Sequence, residues 1–96
     1  MNNVVPLMNK GGNGSVQTAA SGVDFVALPA QPCRQVTIAN NTGAALEVQQ
    51  GGAGVALPVF DQTYFTFYGL TDASQLGVRR VDQGVARVTV TYRWEG

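Results

Sequence analysis

Val85-Ala86-Arg87-Val88-Thr89-Val90-Thr91-Tyr92-Arg93-Trp94 alternates along its whole length. Val88, Val90, Tyr92 and Trp94 fall on one face, and Arg87, Thr89, Thr91 and Arg93 on the other. A period of two marks a strand with one buried face, and β-branched and aromatic side chains suit such a pleated surface. The stretch also carries the only tryptophan. It predicts a mainly antiparallel β domain assembled against this strand.

Working back from it, Asp82-Gln83-Gly84 reads as a turn, and Gly77 to Asp82 as a strand in which Leu76, Val78 and Arg80 share a face. Arg80 is the awkward member of that face and has to be paired or at the edge of the core. Thr71-Asp72-Ala73-Ser74 has capping character but too little length for more than a turn of helix. Thr63 to Tyr68 is an aromatic strand, with Phe65 and Phe67 assigned to the core and Tyr64, Thr66 and Tyr68 to the other side, because phenol hydroxyls seek water or a partner. Val55-Ala56-Leu57 is a short run into Pro58. Arg34 to Asn40 and Ala45 to Gln49 alternate around Asn40-Asn41-Thr42-Gly43, a strong turn signal, and read as a hairpin. Val23 to Leu28 is a further strand, closed by Pro29 and Pro32. Before it, Lys10-Gly11-Gly12-Asn13-Gly14-Ser15 reads as a turn or linker, with a short edge strand possible over Ser15 to Ala20.

The fold class expected from these elements is all-β: a small antiparallel β-sandwich or barrel of six to seven short strands with an extended N-terminal segment. Residues 1–22 would be an arm or linker, and residues 23–96 a single β domain. A chain of 96 residues is one domain with room for one core.

Composition narrows function chiefly by exclusion. The charged fraction is 12%, with six basic and six acidic residues, about half the usual globular share. A zero net charge offers no basic footprint for nucleic acid. Glycines and uncharged polar residues dominate the expected surface, which is easier to desolvate than a charged one and suits contact within an assembly. The absence of histidine removes His-based triads and the common zinc sites. Cys33 stands alone, so it reads as a reduced structural thiol with no internal disulfide. No run of 18 apolar residues suggests a membrane span, and the start, Met1-Asn2-Asn3-Val4-Val5, lacks the pattern of a secretory leader. The acids Asp24, Glu47, Asp61, Asp72, Asp82 and Glu95 sit near turns or point outward, and neither a carboxylate pair for hydrolysis nor a calcium site from Asp61 and Asp72 is expected. No cofactor and no enzymatic activity are anticipated. Tyr64, Tyr68 or Trp94 could stack on a sugar, although Trp94 reads more simply as packing against Phe60 or Phe65.

Cys33-Arg34-Gln35-Val36-Thr37-Ile38-Ala39-Asn40-Asn41-Thr42-Gly43, Leu46-Glu47-Val48, Gly51-Gly52, Ala73-Ser74-Gln75-Leu76-Gly77-Val78-Arg79-Arg80 and the Val88–Trp94 strand together give the chain a recognisable texture. It resembles the small β-rich virion proteins of tailed bacteriophages, among them head decoration or cement proteins and neck or tail components. The resemblance implies a non-enzymatic part repeated on a symmetric particle and assembled in the host cytoplasm. It also implies trimers or other symmetric oligomers, with the major capsid protein and further copies of the chain as partners, and no direct contact with nucleic acid or membrane. Decoration proteins of this kind often extend an N-terminal arm to neighbours. The residues read as interface candidates are Val4, Val5, Leu7 and Met8 in such an arm, and Tyr64, Tyr68, Arg79 and Arg87 on the domain. Removing residues 1–14 is expected to weaken attachment while leaving the domain folded. The alternatives are a neck or tail connector and a carbohydrate-binding module of a tail or baseplate.

Overall fold

The computed structural model describes residues 11–96. Among the described residues, eight strands run in the order β1 (Gly11–Gln17), β2 (Val26–Ala27), β3 (Gln35–Asn40), β4 (Leu46–Gln50), β5 (Leu57–Val59), β6 (Thr63–Phe67), β7 (Leu76–Arg80) and β8 (Thr89–Glu95), with a 3₁₀ turn over Ala73–Gln75. They form two antiparallel four-stranded sheets, β1-β8-β3-β6 and β2-β7-β4-β5. β1 pairs with β8, β2 with β7, β3 with β6 and β4 with β5. The chain is thus one long antiparallel ribbon folded at the β4–β5 turn and rolled up, and β3–β8 and β4–β7 pairing closes the roll. This is jelly-roll topology, a sandwich as expected from the alternation, with eight strands.

The last strand has the organising place its pattern suggested. β8 lies between β1 and β3, and Val90 and Tyr92 are buried on its inner face with Trp94 half-buried behind them. It begins at Thr89, later than Val85. The preceding residues serve the corner instead. The amide of Val88 donates to Oγ1 of buried Thr18 at 3.1 Å, and the Thr18 amide donates to the Val88 carbonyl at 3.1 Å. Inner rows from both sheets fill the core: Val36 and Ile38 on β3, Leu46 and Val48 on β4, Leu76 and Val78 on β7, Val59, Phe67, Leu28 and Leu70. Each such fully buried side chain contributes about 1.5–3 kcal/mol relative to exposure.

Three local readings give way to tertiary facts. Gly11–Gln17, expected to contain a turn or linker, is a seven-residue edge strand in register with β8. The glycines there serve close approach. A Cβ at Gly14 would lie 2.5 Å from the Tyr92 hydroxyl, and one at Gly12 would lie 2.9 Å from Trp94 Nε1. Two of the three inward positions of β1, 12 and 14, carry no side chain because the two large rings of β8 occupy that space, while Val16 packs against the core. Trp94 therefore lies against Gly12, across from Val36 on its other flank. Residues 11–22 belong to the sandwich, and truncation at residue 14 would cut into β1. Val4, Val5, Leu7 and Met8 lie outside the described residues.

The expected Arg34–Gln49 hairpin is instead a corner, since β3 and β4 lie in different sheets. Asn40 ends β3 fully buried. Its Nδ2 donates to the carbonyls of Ala44 and Val59, both at 2.8 Å, while its Oδ1 accepts from the Thr42 amide at 3.0 Å and the Thr42 hydroxyl at 2.7 Å. The side chain ties the end of one sheet to β5 of the other. The expected Val23–Leu28 strand is reduced to Val26–Ala27, with Leu28 buried and its amide bonded to the Leu76 carbonyl. Arg80 resolves as required: it sits at the edge of the core, with Nη2 2.7 Å from Asp82 Oδ2 and Nη1 donating to the Ala86 carbonyl.

Candidate functional site

Two surface features stand out, and they lie on different parts of the sandwich. The first is the flank where β5 and β6, edge strands of the two sheets, run close together. Leu57 is in register with buried Val48, and Phe65 with buried Ile38, so both point toward the sandwich interior. Edge position leaves them uncovered on one side, each 46% exposed. Phe65 was assigned to the core. Its direction is as expected, but only Phe67 is buried there, and the two rings meet edge to face with centroids 4.9 Å apart. Phe60, in the turn between the strands, is 61% exposed, Tyr64 on the outer face of β6 is 74% exposed and Tyr68 just beyond it 66%. Thr63 closes that turn by donating its amide and its hydroxyl to the Phe60 carbonyl. The flank thus presents five large apolar or aromatic side chains from twelve consecutive positions.

The structure brings Tyr64 and Tyr68 together on this flank and leaves the other two domain candidates elsewhere. Arg79 lies on the outer face of the opposite sheet and is engaged by its own chain. Its Nε donates to Glu47 Oε1 at 2.6 Å, its Nη1 donates to the Val23 carbonyl at 2.6 Å, and its guanidinium carbon stands 4.3 Å from the centre of the Phe25 ring. Arg87 is exposed in the loop before β8. Sequence reasoning passed over Leu57, Phe60 and Phe65 as surface residues; the short run ending in Pro58 was the available sign that an edge strand begins there.

The second feature is a groove of about 540 Å³ over the outer face of β2, β7 and β4. Ala27, Gly77 and Gln49, in one row across the three strands, make its floor. Phe25 forms one wall, and Gly51, Gly52, Ser74 and Gln75 form the other. Gly77 lets Phe25 lie down on the sheet, since a Cβ at residue 77 would be 3.1 Å from Phe25 Cβ. The far wall is held by the 3₁₀ turn. Asp72 caps it by accepting from the Ser74 amide at 2.9 Å and the Ser74 hydroxyl at 2.6 Å, while Gln75 Oε1 accepts from the Thr71 and Asp72 amides, completing a capping box.

Those bonds from Ser74, with another from the Gln31 amide, hold the Asp72 carboxyl below the ordinary carboxylate range. A depressed acid stabilises the fold fully above its unfolded-state pKa of about 3.9 and loses that contribution as pH falls through the lower folded-state value. Asp72→Asn should therefore show a smaller fall in Tm between pH 6 and pH 2.5 than the parent chain, measured by circular dichroism (pH values ~2.5 and ~6 bracketing that range). Part of the acid sensitivity should survive, because Asp82 is also lowered, chiefly by its hydrogen bond from Arg80.

Other reactive groups are occupied or withdrawn. Cys33 is buried and free, and desolvation, with the charge of Asp72 second, pushes its thiol up, away from the reactive thiolate. Asp61 accepts from the Gly43 amide at 2.8 Å. Among the described residues, no three His, Cys, Asp or Glu side chains gather where they could hold a metal ion.

No protein-family model and no curated protein matches the chain. Among solved structures, a de novo designed double-stranded β-helix, determined by solution NMR, is similar with a TM-score of 0.51. The alignment covers 90% of this chain and 99% of the designed one at 16% identity. The likeness is one of fold alone. It agrees with the rolled ribbon derived from strand pairing and carries no ligand, partner or activity.

Proposed function

We propose that the chain is a non-enzymatic structural protein of a bacteriophage virion, a head decoration protein that stabilises the capsid by adding contacts to the major capsid protein and to its own copies. The aromatic flank at β5 and β6 is the observation that carries this reading. Phe60, Tyr64 and Tyr68 present large, semi-rigid contact area on a surface poor in charge, the composition favoured at interface centres. Many such contacts, individually weak, become strong when copies engage together on a lattice. The phage assignment itself comes from the sequence resemblance.

Quantitative mass spectrometry of purified particles tests it by counting this chain against the major shell protein. Copies in a ratio set by the shell lattice support the decoration role. A few copies per particle move the chain to the neck or tail, and absence from particles ends the virion reading. The arm is tested by deleting residues 1–10, which leaves β1 whole: particle attachment should fall while the circular dichroism spectrum and Tm stay unchanged.

The groove over β2, β7 and β4 favours a second reading, a carbohydrate-binding module. It combines an aromatic wall with amide and hydroxyl groups, and its neighbouring charges, Arg79 and Glu47, are paired with each other. Such chemistry suits a neutral saccharide. Titration with neutral oligosaccharides, followed by NMR, would show amide shifts at Gln49, Gly51, Gly52 and Ser74 if this reading holds, and none if the groove is only a surface depression. Trp94, packed beneath Gly12, is too remote from the groove in register to report on it.

A further inference from the structure

We infer that β6 is a pairing edge, at which two copies of this chain join antiparallel, β6 to β6, into one continuous eight-stranded sheet. The inference deepens the proposed contact role and rests on it.

A four-stranded sheet has two edges, so among the described residues the sandwich has four: β1, β6, β2 and β5. Every edge strand carries a row of backbone N–H and C=O groups turned away from its neighbour, a template for another strand unless something blocks it. Three of the four carry recognised protection. β2 is two residues long. β5 is three residues long and has Pro58 at its centre, which has no N–H to give. β1 draws Gly11, Gly12 and Gly14 from its seven positions, which weakens it as a pairing template. β6 has no such device. Thr63-Tyr64-Phe65-Thr66-Phe67, continued by Tyr68, has no charge, no proline and no glycine, and every residue has high β-propensity. Thr63, Tyr64 and Phe65 are exposed. A strand of this composition left bare at an edge is an aggregation hazard unless it has a partner.

The unpaired ladder asks for an extended strand as occupant, and the residues of β6 make a second β6 a suitable one. In a two-fold antiparallel pair, residues facing each other must lie on the same face of the sheet. Centring the axis at Phe65 satisfies this. Phe65 then meets its own copy on the inner side, Tyr64 faces Thr66 of the second copy on the outer side, and Phe67 faces Thr63. Aromatic–aromatic and aromatic–β-branched pairs of this kind are favourable across strands, and no like charges are brought together. Phe60 and Leu57, exposed beside the edge, would be drawn toward the same boundary.

Sedimentation velocity of the full chain between micromolar and hundred-micromolar concentration, with hydrogen exchange at both ends of that range, tests the inference (orders of magnitude of ~1 and ~100 µM, typical of micromolar association). A dimer whose amides within residues 63–67 gain protection as concentration rises is the expected result. Tyr64→Lys places a charge diagonally across the axis from its own copy, as natural edge strands do, and should weaken the dimer by about tenfold. Tyr64 is largely exposed, so the monomer's Tm should not move; Tyr64→Phe should keep the dimer. A chain that stays monomeric throughout overturns the pairing. So does a dimer that persists in Tyr64→Lys without protection at β6, or one that is lost only when residues 1–10 are deleted. None of those results bears on the particle count, so the contact role can stand or fall separately.

Discussion

Gly22→Ala is expected to destabilise the fold by about 2–5 kcal/mol, the sum of about 1–2 for a left-handed backbone carrying a Cβ and about 1–3 for overpacking. Gly22 is buried in the β1–β2 connection with φ +79°. A Cβ there would stand 2.2 Å from the Gln83 carbonyl oxygen and 2.7 Å from that of Gly84. Both obstacles are backbone, in the β7–β8 turn where Gln83 itself has φ 55°, so neither can rotate aside. That turn is further fixed by Asp82, which accepts from the Gly84 amide at 2.9 Å and from Arg80. Since a domain of this size has about 5–15 kcal/mol of stability in all, the variant should unfold at a much lower urea concentration. Gly43→Ala provides the control. It has φ +87° but nothing within 4 Å of the added carbon, so only the backbone component, about 1–2 kcal/mol, should appear. Equal urea midpoints for the two variants would show that the two loops are not packed as described.

Asn40→Asp should be the other severe change, although it preserves size and shape. The carboxylate keeps acceptors where Thr42 donates but loses both donors, and it sets oxygen against the Ala44 and Val59 carbonyls at the positions now bonded at 2.8 Å. At neutral pH it also buries a charge without a counter-ion. A loss of about 3–5 kcal/mol is expected, comparable to that for breaking a buried charged pair. Burial and the facing carbonyl oxygens would raise the pKa of the introduced acid. An acid raised in the folded state destabilises most above its folded-state value, so the deficit relative to the parent should shrink as pH falls through that value. Asn40→Ala should cost about 1–3 kcal/mol, chiefly from the Val59 carbonyl left without its donor, because the Ala44 carbonyl keeps the Thr42 hydroxyl at 3.0 Å, and its deficit should not vary with pH. Urea melts at several pH values separate the two. A flat deficit for Asn40→Asp would mean that the side chain reaches solvent.

The β3 and β4 segments show how far local pattern reaches. Alternation places Val36 with Ile38 on one face of β3 and Leu46 with Val48 on one face of β4, and all four are buried. The turn between them was also read correctly as a turn. Its destination was not, because Asn40-Asn41-Thr42-Gly43 supports a hairpin and an inter-sheet corner equally well, and the bond to Val59 that selects the corner spans 19 positions. β1 was missed for a related reason. Glycine in isolation signals a turn, and only the presence of Tyr92 and Trp94 beneath Gly14 and Gly12 makes it a packing choice. At the candidate contact flank, Tyr64 and Tyr68 were legible because they alternate against Phe65 and Phe67 and their hydroxyls seek water or a partner. Phe65 was not, because facing inward and being covered are the same thing only for a central strand.

The all-β class, most strand positions and their buried faces, the 3₁₀ cap at Asp72 and the need to pair Arg80 follow from side-chain period and local hydrogen-bonding capacity, which neighbouring residues determine by themselves. Which strands share a sheet, which edges stay open and how the Tyr64 flank is separated from Arg79 were decided only by the rolled tertiary structure. Those depend on contacts between residues far apart in sequence, such as β1 with β8, and no local pattern records them.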